Sequence, residues 1–416
     1  MEMNELFRVA LGLDEPWRVV KVEFTEEESR LDIWMDFPAG SGFPCPVCAR
    51  KGCKAYDAEE RTWRHLNFFQ HQTHLHARQP RIECPDHGVK TVEVPWARPG
   101  SGFTLLMDAF ILILIQGGMT PAQVGRMIGE HDTRIWRVVQ HYVEAARAKA
   151  DFSNVRIIGM DETSRARGHD YITVFMDLHR ARRRVLFVCA GRDSDVVNQF
   201  KVDFTAHKGR PERIQRVCLD MSPAYIKGLA EALPTAQITF DPFHVAKLAN
   251  EAVDEVRRQE QKDQPELKGT RYLWLKNEWN YTEKQAEQWA QIKGAKLKTA
   301  RAWLLKSVLQ DVFTPENRRE GPALLTSWCA WAARSRLPSM VELARTIKRH
   351  WDGVINWFDS QISNGVLEAI NGLIQAAKRR ARGFRTIDNL VAMVYLLLGK
   401  LDLGLPSLSP ALTHTK

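Results

Sequence analysis

No apolar run in this chain is long enough to cross a bilayer. The run Ala109 to Ile115 falls far short of the roughly 20 residues a membrane helix needs, and Asp108 stands directly before it. It reads as a buried helix. The N-terminus, MEMNELFRVALGLDEPW, is acidic early and lacks the basic, apolar and small-residue order of a signal peptide. A cytoplasmic protein is therefore expected, with no membrane partner. Fixed-period repeats and low-complexity tracts are missing too, which excludes solenoids and long disordered tails. Cysteine is scarce, at seven among 416 residues, an odd number that speaks against a disulfide scaffold. Negative charge is the minority, with 50 acidic against 59 basic side chains, so the formal charge of +9 favours an anionic partner such as nucleic acid.

What is present divides along the chain. Residues 18 to 36 alternate as two strands would. Four of the seven cysteines fall between Cys45 and Cys84. There Cys45-Pro-Val-Cys48 and Cys84-Pro-Asp-His87 form two knuckles, each with its ligand types three positions apart around a turn-forming proline. That is zinc-ribbon spacing, and the interval between the knuckles can hold two strands. Cys53 and the cluster His71, His74 and His76 compete as ligands, although the three histidines read better as lining a solvent or DNA face. Cys189, Cys218 and Cys329 sit in apolar surroundings and are expected in the core.

The stretch Pro95 to Phe103, rich in proline and glycine, predicts a linker and a domain boundary near residue 100. Residues 104 to 147 then read as three helices. Thr120-Pro121 opens one of them and Gly129 closes it. The next, capped by Asp132 or Thr133, turns Ile135, Val138, Val139 and Tyr142 inward and leaves Arg134, Arg137, Gln140 and His141 outward. Two short helices about a glycine-containing turn make a helix-turn-helix candidate, with Arg134, Arg137 and Gln140 as candidate DNA contacts.

From residue 155 short β-branched runs appear: RIIGM, YITVFM and VLFVC, then Arg216 to Leu219 and Ala236 to Phe240, with helical segments between the later ones. This pattern predicts a mixed sheet flanked by helices. Residues 251 to 350 turn charged and helical, with tryptophans expected to pack an all-helical core. A last helix is expected from Ser363 to about Arg380. Its exit is basic, and Lys378, Arg379, Arg380, Arg382 and Arg385 are candidate phosphate contacts.

Two aspartates, Asp161 and Asp220, follow apolar strands, where a charge faces a sheet edge. Glu368 shares one helix face with Asn364 and Asn371. Three carboxylates from separate elements suit two hard cations, magnesium or manganese, in phosphodiester chemistry. Spacing alone does not single them out among 50 acidic residues. The motifs do: IGMDE, RGHDYITVFMDL, VCLDMSPAY, LPTAQITFDPFHV, YLWLKNEWN and WFDSQISNGVLEAINGLIQAAKRRARGFR, in this order, resemble the ISL3 family of bacterial insertion-sequence transposases across nearly the whole chain.

The resemblance implies an α/β RNase H-like catalytic core interrupted by an all-helical insertion and preceded by a zinc ribbon and a helix-turn-helix. It implies a catalytic triad of Asp161, Asp220 and Glu368, with Asp241 and His244 as neighbours and Asn364 and Asn371 in support. Structural zinc on Cys45, Cys48, Cys84 and His87 follows as well. The Asp-x-Phe-His motif departs from the family pattern, because Pro242 stands where a basic residue is common. The expected order is a β-rich zinc-ribbon domain over 1–98, a helix-turn-helix domain over 99–150, the core over 151–250 and 351–402, the helical insertion over 251–350, and a tail over 403–416. Since 148 positions separate Asp220 from Glu368, an insertion is required between them. The expected partner is double-stranded DNA, both terminal inverted repeats and target, bound by a homodimer associated with the nucleoid. A zinc-dependent DNA-binding regulator would leave the three carboxylates without a role, and a resolvase-like nuclease would use them on branched DNA.

Overall fold

The computed structural model describes residues 2–276, 278–292, 296–314, 316, 318–362 and 365–408. The chain forms two compact units, one of Met1–Ala146 with Asp402–Lys416 and the other of Arg147–Leu401. The expected boundary near residue 100 thus falls inside the first unit.

In the first unit α1 (Met3–Ala10) precedes β1 (Arg18–Thr25), β2 (Arg30–Asp36), β3 (Gly42–Phe43), β4 (Cys53–Phe68), β5 (His71–Cys84) and β6 (Gly88–Thr91). The sheet order is β1-β2-β5-β4-β3, with β6 also on β5. Ile33, Leu75 and Ile82 of this sheet are buried in the unit's core. Aromatic rings close the core: Trp17 meets Trp96 edge-on with centroids 4.8 Å apart, and Trp63 meets Trp96 at 5.6 Å. The histidines of β5 do not form one solvent face. His76 is buried, with Nε2 2.5 Å from Asp32 Oδ1, Nδ1 2.8 Å from Thr62 Oγ1, and its ring stacked on Trp34. Neighbouring strands supply both an acceptor and a flat apolar partner, which makes burial of this imidazole tolerable.

Three helices follow in this unit, α2 (Leu105–Gln116), α3 (Pro121–Ile128) and α4 (Asp132–Ala148). Thr120 and Gln123 form a capping box at the start of α3. Gly129 ends it at φ 75°, and a Cβ at Gly125 would lie 2.6 Å from Glu130 O. Glycine at both positions permits the tight α3–α4 turn. His131 prepares the start of α4, since its Nδ1 accepts from the Thr133 backbone N–H at 3.3 Å. Ile135, Val138, Val139 and Tyr142 are buried as expected. Met127 of α3 is 57% exposed.

The second unit holds β7 (Ile157–Ala166), β8 (Asp170–Asp177), β9 (Arg184–Ala190), α5 (Asp195–Ala206), β10 (Arg216–Leu219), α6 (Pro223–Ala232), β11 (Gln237–Phe240) and α7 (Pro242–Glu260). The sheet order is β11-β10-β7-β8-β9. The three consecutive strands β7, β8 and β9 pair antiparallel, whereas β10 runs parallel to both β7 and β11. This is the mixed sheet that the sequence predicts. Phe175 and Phe200 stack in its core with centroids 4.4 Å apart.

Between α7 and residue 362 only helices and turns occur among the described residues: α8 (Arg271–Leu275), α9 (Glu283–Ile292), α10 (Lys298–Val312), α11 (Gly321–Ala333), α12 (Pro338–Arg349) and α13 (Trp351–Ser360), besides short 3₁₀ turns. Trp274, Trp289 and Trp328 are buried here, as the sequence predicts, whereas Trp279 is 82% exposed. Two polar groups tie the segment together. The buried Glu260 carboxylate accepts from the Lys298 and Thr299 backbone N–H groups, each at 2.7 Å, and so caps α10 from a distant helix. Lys306, buried, donates to Trp274 O at 2.8 Å. Next comes α14 (Gly365–Arg380), which is not the last helix. α15 (Ile387–Leu398) follows and packs on β9, where the Val188 backbone N–H donates to Tyr395 Oη at 3.1 Å. Its apolar run, IDNLVAMVYLLL, needs that covered strand.

One buried charge in the first unit gives a pH test. Asp108 accepts from Arg98 Nε at 3.0 Å and Tyr142 Oη at 3.2 Å, yet burial outweighs both and pushes its carboxyl up to about 6. Folding therefore retains a proton there that the unfolded chain releases. The stabilisation is full below about pH 4 and is lost as pH rises through 6. Stability measured by urea melts, unmutated protein minus Asp108→Asn, is expected to fall by on the order of 1.4 kcal/mol per pH unit across that window. A difference that does not change with pH would contradict the assignment.

Candidate active site and candidate metal centre

Asp161 does not end its strand, as the sequence suggests, but stands midway along β7 where the apolar half gives way to DETSRA. Polar residues continue the strand because β8 pairs with it as far as Ala166. The Asp161 Oδ1 accepts from the Glu162 backbone N–H at 2.8 Å, and Oδ2 accepts from Asn371 Nδ2 on α14 at 2.8 Å. Asp220 leaves the end of β10, with Oδ1 accepting from the Ser222 backbone N–H at 3.0 Å. Glu368 lies in the first turn of α14 and is exposed.

Asp161 feels the other acids. Burial first, and then the charges of Asp220, Glu162 and Glu368, push the Asp161 carboxyl up to about 7 despite the Glu162 N–H. Such crowding of like charge beside a sheet edge is relieved by a cation. Asn371 adds a second sign, since its Oδ1 is buried and accepts no hydrogen bond. A set of carboxylates with an orphaned amide oxygen fits a hard, oxygen-seeking divalent ion.

Two acids of the site's surroundings escaped sequence reasoning or gained a different role. Glu162 turns to the opposite face of β7, where it accepts from Tyr225 Oη at 3.2 Å and faces Arg192 at 3.6 Å. Its place directly after Asp161 was the available signal. Asp241 is buried at the start of α7, accepting from the Phe243 backbone N–H at 2.8 Å. Pro242 is thereby explained as a first-turn proline. Burial first, and then the charges of Asp241 and Asp161, raise the thiol of Cys218. His244 is half-buried in the first turn of α7. Asn364 lies outside the described residues.

The candidate DNA contacts differ in availability. Arg137 is exposed. Arg134 is less so, because its guanidinium pairs with Glu130 at 2.5 Å and lies over the Phe103 ring at 4.2 Å. Gln140 is half-buried on α4. Arg379, Arg380, Arg382 and Arg385 are exposed, whereas Lys378 is half-buried and donates to Ser164 O at 2.6 Å.

In the first unit Cys45, Cys48, Cys84 and His87 bring four ligand atoms within 4.8 Å of one another, the one such group among the described residues. Cys48 Sγ and Cys84 Sγ are 3.8 Å apart, the edge of a tetrahedron whose ligands stand about 2.3 Å from a central zinc. Cys84 Sγ lies 3.6 Å and Cys45 Sγ 4.0 Å from His87 Nδ1. The Cys48 backbone N–H is the largest influence holding the Cys45 thiol down at about 7, which favours the thiolate that zinc requires. The interval between the knuckles is filled by β4 and β5, and Arg50 pairs with Asp86 across them at 3.1 Å. Cys53 is buried outside the group and its thiol donates to Arg50 O.

Paired cysteine knuckles, a capped helix-turn-helix and a mixed sheet bearing clustered carboxylates are, in this order, the parts of an insertion-sequence transposase. Comparison with known proteins agrees. Residues 158–394 match the ISL3 profile described as a transposase, residues 92–143 the helix-turn-helix domain of transposase family ISL3, and residues 41–87 the zinc-finger of transposase IS204/IS1001/IS1096/IS1165. The chain belongs to the ISL3 family of transposases. It is 31% identical over 438 positions to the transposase for insertion sequence element IS1557 of two Mycobacterium tuberculosis strains, covering 96% of each chain. To the transposase for insertion sequence element IS1001 of Bordetella parapertussis it is 26% identical over 388 positions, covering 90% of this chain and 94% of that one.

The metal centre is tested by removal. Cys45→Ser or Cys84→Ser should release zinc and unfold the knuckles and the strands between them, since such sites fold on their metal. Metal analysis and amide hydrogen exchange read both effects. Unmutated protein purified without near-stoichiometric zinc would sink the assignment.

Proposed function

We propose that this transposase binds the terminal inverted repeats of its insertion sequence and carries out strand cleavage and strand transfer on an RNase H-like core, with Asp161, Asp220 and Glu368 as the catalytic carboxylates. The observation that carries the reading is the shared field at Asp161, which is raised to about 7 by burial and by both other members of the trio. Bound magnesium or manganese ions, two at this site, would activate the attacking oxygen and stabilise the leaving one.

The chain's own residues prepare that chemistry. Asn371 fixes one Asp161 oxygen and the Ser222 N–H fixes one Asp220 oxygen, while Glu368 stands one turn before Asn371 on α14. In cleavage a water oxygen attacks phosphorus, the bond to the 3′-oxygen breaks, and a 3′-hydroxyl and a 5′-phosphate result. In transfer that 3′-hydroxyl attacks a target phosphorus and displaces the target strand's 3′-oxygen. Asp241 and His244 support the site from the start of α7. The helical segment that follows α7 is read as an insertion into the core.

DNA recognition falls to the first unit in this reading. Arg137, with Arg134 and Gln140, faces the end sequence from α4, and the zinc ribbon is structural because protein fills all four positions. Arg379, Arg380, Arg382 and Arg385 hold backbone phosphates. Because two ends must be joined, a homodimer on DNA follows, acting in the cytoplasm at the nucleoid.

Charge without bulk tests the triad. Asp161→Asn, Asp220→Asn and Glu368→Gln should each bind end DNA yet lose cleavage and joining by more than about 100-fold, beyond the cost of losing an outer partner of a metal site. Near-normal cleavage by folded Glu368→Gln in magnesium would require another third ligand. A second comparison separates recognition from general affinity. Arg137→Ala should weaken correct-end DNA more than random DNA. Arg379→Ala should weaken both alike and lower the slope of log affinity against log salt by roughly 0.9. Equal behaviour of the two variants would undo the division.

A further inference from the structure

We propose that Gln375 and Lys378 are positioning residues that set where Glu368 stands, by fastening α14 along an open edge of β7. The inference rests on the reading of Glu368 as the third catalytic carboxylate.

β10 pairs with β7 only from Ile157 to Gly159, whereas β8 follows the other edge of β7 to Ala166. Among the described residues no strand takes the place of β10 beyond Gly159. Strand carbonyls left there need donors, and α14 supplies them from side chains. Asn371 Nδ2 reaches Glu162 O at 3.5 Å. Gln375 Nε2 donates to Thr163 Oγ1 and to Ser164 O, each at 2.8 Å. Lys378 Nζ donates to Ser164 O at 2.6 Å. With Glu368 these residues occupy positions i, i+3, i+7 and i+10 of one helix, hence a single face.

Apolar packing brings α14 to the sheet. Leu367 and Ile374 are buried, and Val366 and Ile370 pack against the cluster that holds Leu367. Leu367 enters where Gly159 leaves room, since a Cβ there would stand 2.7 Å from Leu367 Cδ1. Apolar burial is non-directional, so it leaves the exact placing of the polar face to other contacts. A catalytic group must be held within about 0.5 Å of its working place. The polar contacts two and three turns further on supply the missing restraint. Lys378 is thereby separated from its basic neighbours: its ammonium serves a backbone carbonyl, whereas Arg379 and Arg382 are exposed.

The test uses full-length zinc-loaded protein and the variants Gln375→Met, Lys378→Met and Thr163→Val, with Lys378→Arg and Thr163→Ser keeping the donor and the hydroxyl. Without added magnesium or manganese, amide hydrogen exchange over residues 365–380 should quicken in the first three and stay near the parent in the last two. The magnesium concentration for half-maximal end cleavage should rise about tenfold or more in the first three, while end-DNA affinity and its salt slope stay unchanged. Unaltered exchange and unaltered magnesium requirement in both methionine variants would overturn the proposal. So would a Lys378→Met salt slope that falls as it does for Arg379→Ala. Should either methionine variant fail to fold, Thr163→Val against Thr163→Ser probes the same contact from the strand. Glu368→Gln keeps the two readings apart: its normal cleavage would remove the catalytic reading, whereas its inactivity beside unaffected Gln375 and Lys378 variants would remove only this one.

Discussion

Repulsion between carboxylates is the constraint around which the second unit is organised. Burial first, and then the charges of Asp220, Glu162 and Glu368, raise the cost of ionising Asp161. Left to itself such a cluster would spread apart. It is held because each acid hangs from a rigid element whose own stability lies elsewhere: β7 in the middle of a five-stranded sheet, β10 beside it, and a helix docked on the strand edge. The orphaned Asn371 oxygen and the raised Asp161 are then two expressions of one condition, an oxygen-rich place short of positive charge.

The elements that meet there come from distant parts of the chain. Between Asp220 and Glu368 lie 147 residues, most of them helical. That segment has its own buried tryptophans and its own polar ties, through Glu260 and Lys306. Such internal cohesion lets a long excursion return the chain to the sheet without strain on the strands. The return is made by α13 against β11 and by Leu367 against Gly159.

The first unit solves a different problem. Its sheet has an aromatic core, and beside it the four ligand atoms of the knuckles gather where β4, β5 and β6 begin or end. A metal held there would add folding energy to that of the core. The adjoining helices rely on ordinary means: a capping box, two glycines in the turn, and an apolar stripe on α4.

Much of this was legible in the sequence, because it is written in local periodicity and chemistry. The knuckles announce themselves by spacing, α3 by Thr120-Pro121 and Gly129, and the strands by β-branched runs. Asp161 and Asp220 each follow an apolar run and Glu368 shares a helix face with two asparagines, but only the resemblance to the ISL3 transposases picked these three out of 50 acidic residues. Other features were hidden, since they depend on what lies across a gap that sequence does not span. His76 became a core residue only because Asp32 and Trp34 sit alongside it, and α15 became a helix of the unit because β9 needed cover. Lys378 looked like one more cation in a basic run. Its use of Ser164 as an acceptor follows from β10 ending early, and the length of a neighbouring strand is a tertiary fact. Composition and spacing thus determined the kinds of chemistry this chain carries. The tertiary structure decided which side chains are spent on holding it, because a hydrogen-bond donor is committed only once the open acceptor it faces has been created by the fold.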